Sequence, residues 1–375
     1  MEAAREGGNS MPKRGIKDLT TQELEDWLGQ RREPPYRARQ IQQWLFQKRI
    51  ILFSEMTNLS GNLREGLEAE FAISRLKTLQ SPRSLDGTVK FLFGLDDTLS
   101  IESVLIPEAK RLTLCVSTQV GCGLGCTFCA TATMGLRRSL RASEILDQIL
   151  EVTRTLDPGK RITHAVFMGM GEPLANYSET VKALEIMTDS TRGLGLSPRR
   201  VTLSTVGLVP QIKKLMEETH VNLAISLHAA NDEVRSQLLP INRKYPLSEL
   251  IACCRSLPLP KRKRITFEYV LLRGVNHSPE DVRRLGELLK GIRCKINLIP
   301  FNPHSGSPYQ RPSRDEIVKF QNTLAALGYQ VNIREPRGDD IQAACGQLQT
   351  ESGAARPARF EAVGHAPPDA AALHS

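Results

Sequence analysis

The sequence predicts an α/β fold: a partial (β/α) barrel preceded by a small all-α domain and a β-hairpin extension. Three observations predict it. From residue 112 onward, short apolar runs alternate with amphipathic stretches of helical spacing. Before about residue 80, apolar residues recur every three or four positions. Between these regions, two runs rich in β-formers flank Gly94-Leu95-Asp96-Asp97.

Taken in order, residues 1–15 are polar and Gly-containing and read as a disordered lead-in. Residues 16–80 read as the small helical domain. Thr20 or Thr21 caps a first helix through Leu24, Trp27 and Leu28. A second follows Pro34-Pro35-Tyr36 with Ile41, Trp44 and Leu45 on one face, and a third carries Leu63, Leu67 and Phe71. Arg37, Arg39 and Lys48 fall on its polar faces, which suits an RNA backbone. Residues 81–111 form the hairpin linker, with strands at 89–93 and 99–105, and carry Glu102.

The barrel is expected over 112–350. Strands are predicted at 112–117, 162–168, 201–204, 221–227, 265–272, 294–299 and 330–333. Helices are predicted at 142–155, 179–187, 209–218, 279–289 and 314–327. Strand–helix repetition implies parallel strands with helices outside, and ligands at the C-terminal strand ends. Residues 351–375, rich in Ala and Pro with little periodicity, read as a disordered tail.

The 375 residues are 40% hydrophobic and 24% charged, an ordinary globular composition. Eight cysteines are too sparse for a disulfide scaffold, and no run of 18 apolar residues occurs. With no apolar h-region at the start, these features predict a cytoplasmic protein, with no membrane partner and as a monomer. The formal charge of +9 fits a polyanionic partner. The basic clusters at Arg137-Arg138 with Arg141, at Arg199-Arg200, and at 261–264 (Lys-Arg-Lys-Arg) are candidate phosphate contacts.

Cys122, Cys126 and Cys129 share one Gly-rich loop directly after the first barrel strand. Three thiolates can hold three irons of a [4Fe–4S] cube and leave the fourth iron open for a ligand. A structural zinc site would need a fourth ligand, and neither a second cysteine pair nor a nearby His supplies one. Polar or small residues recur at the following strand ends: Gly171 and Glu172, Ser204, then Ser226, Leu227 and His228, then Asn302. Together with the cysteine loop they predict one common ligand.

The cysteine spacing, with Phe128 before the last cysteine, resembles the radical S-adenosylmethionine (SAM) enzymes. Gly-Glu-Pro-Leu at 171–174, Ser-Leu-His-Ala at 226–229, Lys-Ile-Asn-Leu-Ile-Pro at 295–300 and Arg-Gly-Asp-Asp at 337–340 before Ala-Cys-Gly-Gln-Leu follow in order. With Tyr-Arg-Ala-Arg-Gln-Ile at 36–41, they resemble the RlmN family over roughly residues 15–350. That resemblance implies methylation of C2 of adenosine in 23S rRNA and tRNA. It implies a [4Fe–4S] cluster, two SAM per turnover and an electron donor such as a flavodoxin system. Gly171, Glu172, Ser204, Ser226, Leu227, His228 and Asn302 are then the expected SAM contacts.

By the same resemblance, Cys345 is the methyl-carrying cysteine, Glu102 the acceptor of the C2 proton, and Cys115 the thiol that releases the product by forming a disulfide with Cys345. Cys253, Cys254 and Cys294 match no role and read as inert buried thiols. Two alternatives stay open at this point. One is a C8-adenosine methyltransferase conferring antibiotic resistance, which shares these motifs. The other is a non-catalytic Fe–S or zinc RNA-binding module.

Overall fold

Ten strands lie side by side in one mixed sheet, in the order of the chain. The protein is described by a computed structural model over residues 13–350; the expected tail at 351–375 and most of the lead-in lie outside the described residues. The strands are β1 (Lys77–Gln80), β2 (Val89–Gly94), β3 (Ser100–Glu108), β4 (Arg111–Cys115) and β5 (His164–Phe167). They continue as β6 (Val201–Thr205), β7 (Asn222–Ser226), β8 (Ile265–Leu271), β9 (Cys294–Pro300) and β10 (Val331–Ile333).

From β4 to β10 every neighbouring pair is parallel. Parallel neighbours need a crossover, and helices such as Ala142–Arg154, Tyr177–Thr188, Val209–Glu218, Pro279–Leu289 and Arg314–Ala326 supply it. Ser278 and Ser313 cap two of these helices, each in a reciprocal capping box. This is the α/β architecture the alternation predicts. The expected hairpin is present, with Val89–Gly94 antiparallel to Ser100–Glu108, and it continues through β4 as one edge of the barrel sheet.

Three elements differ from expectation. Phe71 is not on the third helix, which ends at Glu70; Phe71–Ala72 pairs with Arg14–Gly15, and the Phe71 ring packs edge-on to Trp27 at 5.3 Å. Lys77–Gln80, placed by periodicity in the helical segment, is the edge strand β1 because Val89–Gly94 offers it a partner. Two helices, Asp232–Leu238 and Leu247–Ser256, sit in the long β7–β8 connection, where no strand was expected either.

The N-terminal helices pack on helix Ala142–Arg154. Lys17 forms a buried ion pair with Asp147, and Arg75 makes a bidentate pair with Glu151 at 3.0 and 2.8 Å. Asp18 accepts from the Ser143 amide at 2.9 Å, which satisfies one of the free N–H groups of that helix. Gln43 and Gln47 donate to the Thr191 carbonyl in the loop before β6. Helix Ala142–Arg154 is consequently buried on both faces, its polar side included.

One basic cluster is paired within the protein. Arg138 pairs with Asp97 and Glu144, and Arg141 with Glu144 and Asp96, tying the hairpin turn to helix Ala142–Arg154. These two expected phosphate contacts thus have carboxylate partners of the protein itself, while Arg141 stays exposed.

Candidate active site

The cysteine loop leaves the C-terminal end of β4 and is closed by a two-stranded ribbon, Gln119–Gly121 against Leu136–Ser139. Gly121 has φ +73°, and a Cβ there would lie 1.8 Å from the Gly135 carbonyl oxygen, so only glycine fits. Cys122, Cys126 and Cys129 all face a cavity of about 160 Å³ at the C-terminal strand ends. Among the described residues, no three His, Cys, Asp or Glu side chains converge as a single-ion site. Three thiols from one short loop, all lining one cavity, suit a cluster that keeps one iron open. Burial pushes the Cys122 thiol up to about 12 and raises Cys126 and Cys129 as well, so all three need a positive charge at the site to persist as thiolates.

The opposite wall comes from β5, β6 and β7. Gly171, at φ +94°, comes so close to Gln119 that a Cβ would lie 2.5 Å from the Gln119 Cβ. The Gln119 Oε1 accepts from the Glu172 amide at 2.9 Å. The Glu172 carboxylate accepts from the Leu174 and Val206 amides, each at 3.0 Å, and burial lifts its pKa to about 7. Ser204 and Ser226 place their hydroxyls 3.4 Å apart on adjacent strands, facing the cavity.

His228, also in the wall, has φ +60° and accepts at Nδ1 from the Val270 amide at 3.0 Å. Burial lowers its pKa to about 3, so the ring is neutral with its proton on Nε2. Arg235, fully buried, donates to the carbonyls of Leu227 at 3.1 Å and Val206 at 2.7 Å, fixing this wall from behind. The Leu227 side chain packs into the hydrophobic core and does not face the cavity, which corrects its expected contact.

Cys345 lies at the boundary between this cavity and a second one of about 70 Å³. Met168, Ile299, Asn302 and Cys345 face both, and Cys115 faces the second with Val104 and Ile106. The Cys345 segment is sewn to the cysteine loop: the Ala130 amide donates to the Gly346 carbonyl at 2.8 Å, and Thr131 Oγ1 to the Leu348 carbonyl at 2.6 Å. Surrounding protein raises the thiol pKa of both Cys115 and Cys345, although Cys345 is open to the cavities on either side.

Glu102 lies on the same face of β3 as Val104 and Ile106, one step along, but faces neither cavity. It is buried; Lys90 stands 2.9 Å from its Oε1, and its Oε2 accepts from the Gln349 amide at 2.9 Å. Burial raises its pKa despite Lys90. Cys253, Cys254 and Cys294 are buried away from both cavities.

Sequence reasoning missed Glu268. It faces the first cavity from β8, its Oε1 accepts from Asn297 Nδ2 at 2.9 Å, and burial lifts its pKa to about 7. A single carboxylate inside the apolar run 265–272 was the available signal.

Two family models match the chain: the ribosomal RNA large subunit methyltransferase N-terminal domain over residues 15–73, and the radical SAM superfamily over 116–286. A dual-specificity RNA methyltransferase RlmN from Syntrophobacter fumaroxidans is 49% identical over 338 residues, covering 90% of this chain and 98% of its own. The chain belongs to the RlmN family. An RlmN from Geobacter sulfurreducens is likewise 49% identical, over 91% of this chain and 94% of its own. The crystal structure of a radical SAM methyltransferase from Sphaerobacter thermophilus superposes with a TM-score of 0.84 at 44% identity, covering 90% of this chain and 99% of that one. The RlmN N-terminal match falls on the helical module, and the radical SAM match begins at Val116, directly before the cysteine loop. As in the radical SAM superfamily at large, an iron–sulfur cluster and SAM are the cofactors of an RlmN chain, and the three thiols and the cavity they face fit that pair.

Proposed function

We propose that this RlmN-family protein methylates C2 of adenosine in 23S rRNA, at the peptidyl transferase centre, and in tRNA, 3′ of the anticodon, through S-methylated Cys345. The observation that carries the reading is the position of Cys345, with the cysteine-lined cavity on one side and Cys115 on the other. When bound, the cluster and two molecules of SAM per turnover supply the methyl group and the one-electron chemistry that activates it. Cys122, Cys126 and Cys129 hold the cluster. Gly171, Glu172, Ser204, Ser226, His228 and Asn302 orient SAM, while Leu227 contributes only main chain.

Cys345 carries the methyl carbon to the base. Glu102 takes the C2 proton, with Lys90 as its countercharge. Cys115 completes release: an S–S bond to Cys345 forms as the bond from the Cys345 sulfur to the methyl carbon breaks. Restoring both thiols requires a reductant, and a flavodoxin-type donor supplies the electrons. All eight cysteines are free thiols, in keeping with a reducing cytoplasm. Among the described residues no helix is long and apolar enough to cross a membrane. The helical module at 16–80 docks the RNA.

Reaction of the cluster-loaded protein with SAM, dithionite and either an rRNA fragment or a tRNA transcript, followed by mass spectrometry of the nucleosides, tests this. Methylation at C2 in both RNAs is expected. Methylation at C8 would assign the chain to the resistance-type activity, and SAM cleavage without RNA methylation would overturn the reading.

A further inference from the structure

A large concave surface lies at the N-terminal ends of β6 to β9, the end of the sheet opposite the cysteine loop. Arg199, Arg262, Lys263, Arg264 and Lys295 line it, and no carboxylate does. Among the described residues none of these five forms an ion pair. That contrasts with Arg138 and Arg141, which are fully matched by acidic residues of the chain. Lys295 also acts electrostatically on the buried Glu268.

Two of the cations and the loop that carries three of them are held in place. Arg293 donates to the carbonyls of Leu259, Pro260 and Lys261 and so fixes the loop that carries them. Lys263 donates to the His220 and Val221 carbonyls, and Arg264 to Gln330 Oε1 at 2.6 Å. Burial lowers the Lys263 pKa, and the neighbouring Arg199 adds to the shift. A crowded group of cations gains most from an anion with several charges, which relieves the repulsion between them.

A second loop links this surface to the N-terminal helices. Residues 189–200 join helix Tyr177–Thr188 to β6; Thr191 accepts from Gln43 and Gln47 of the helical module, and Arg199 at the other end lines the concave surface. This loop therefore touches the helical module at one end and the concave surface at the other.

We propose that this surface is a second RNA-contact site that takes backbone phosphates of the substrate RNA, remote from the methylated base. The proposal rests on the RNA methyltransferase reading and adds a place where the body of the RNA is held. Contacts here carry affinity and no base selection. Arg199 and Arg262 are exposed, so their substitution leaves the fold intact. Binding of the cluster-loaded full chain to a tRNA transcript, measured from 0.05 to 0.3 M salt by filter retention, tests it.

For Arg199→Ala/Arg262→Ala, at least tenfold weaker binding at low salt is expected, with the slope of log affinity against log salt shallower by about 2, one unit for each lost phosphate contact. The lysine pair, Arg199→Lys/Arg262→Lys, restores the slope. Iron content and unfolding midpoint monitor the fold of each variant. An unchanged slope in the alanine variant overturns the second site while leaving the methyltransferase reading intact. Absence of RNA binding by the wild type overturns both. Inorganic pyrophosphate bound by the wild type and lost in the alanine variant, with the RNA slope unchanged, would make this a small-anion site and also overturn the proposal.

Discussion

Asn302 and Cys345 are joined by a hydrogen bond, from the Asn302 Nδ2 to the Cys345 main-chain oxygen at 3.1 Å. Asn302 is in turn held at Oδ1 by Arg311 at 3.0 Å. Because Asn302 faces both cavities, this pair sets the Cys345 segment in register with the wall of the first cavity. Losing one such bond costs about 1–3 kcal/mol when its partner stays buried. Asn302→Ala is expected to keep its iron but to methylate Cys345 at least tenfold more slowly, read by the mass of the Cys345 peptide after incubation with SAM. Methylation at the wild-type rate would remove the positioning role.

Cys122→Ala, Cys126→Ala and Cys129→Ala each leave two of the three loop thiols facing the cavity. Two ligands anchor a cube poorly. Each variant is expected to purify colourless and to neither cleave SAM nor methylate RNA, as read by iron analysis and visible absorbance. Full iron content in any of the three would sink the ligand assignment.

The two remaining thiols of the site are expected to fail differently. Cys345→Ala removes the methyl acceptor, so no RNA becomes attached to protein. Cys115→Ala still accepts the methyl and adds to the base but lacks the releasing thiol, so RNA stays joined to Cys345. A nuclease-sensitive shifted band on denaturing gels should appear for Cys115→Ala alone. The same pattern in both variants would contradict the relay.

His228 gives a pH signature. Its folded pKa, near 3, lies below the unfolded value near 6.5, so below pH 6.5 the unfolded chain binds a proton that the folded chain refuses. Its contribution to stability is full above 6.5 and falls by about 1.4 kcal/mol for each pH unit down toward 3. Denaturant midpoints of wild type and His228→Gln, compared between pH 7.5 and 5.5, should show the steeper acid loss in the wild type. Parallel curves would mean that the ring is protonated in the folded protein.

What the sequence determined by itself is local. The alternation of apolar runs and amphipathic stretches encodes the parallel sheet, since helix and strand periodicity act over a few residues. Cysteine spacing within one loop likewise marks three thiols that face one cavity, and Gly171 and Glu172 mark a strand end that faces it too. Only the tertiary structure decided what pairs across long separations. It brings Cys115 and Cys345, 230 residues apart, to one small cavity, and turns the polar face of helix Ala142–Arg154 inward by docking Lys17 on Asp147. It also makes opposites of two similar arginine clusters, cancelling Arg138 and Arg141 with acidic partners and leaving Arg199 and Arg262 without them. A charge read along the chain carries no information about its neighbours in space, and at atomic distances those neighbours set its pKa and its partner.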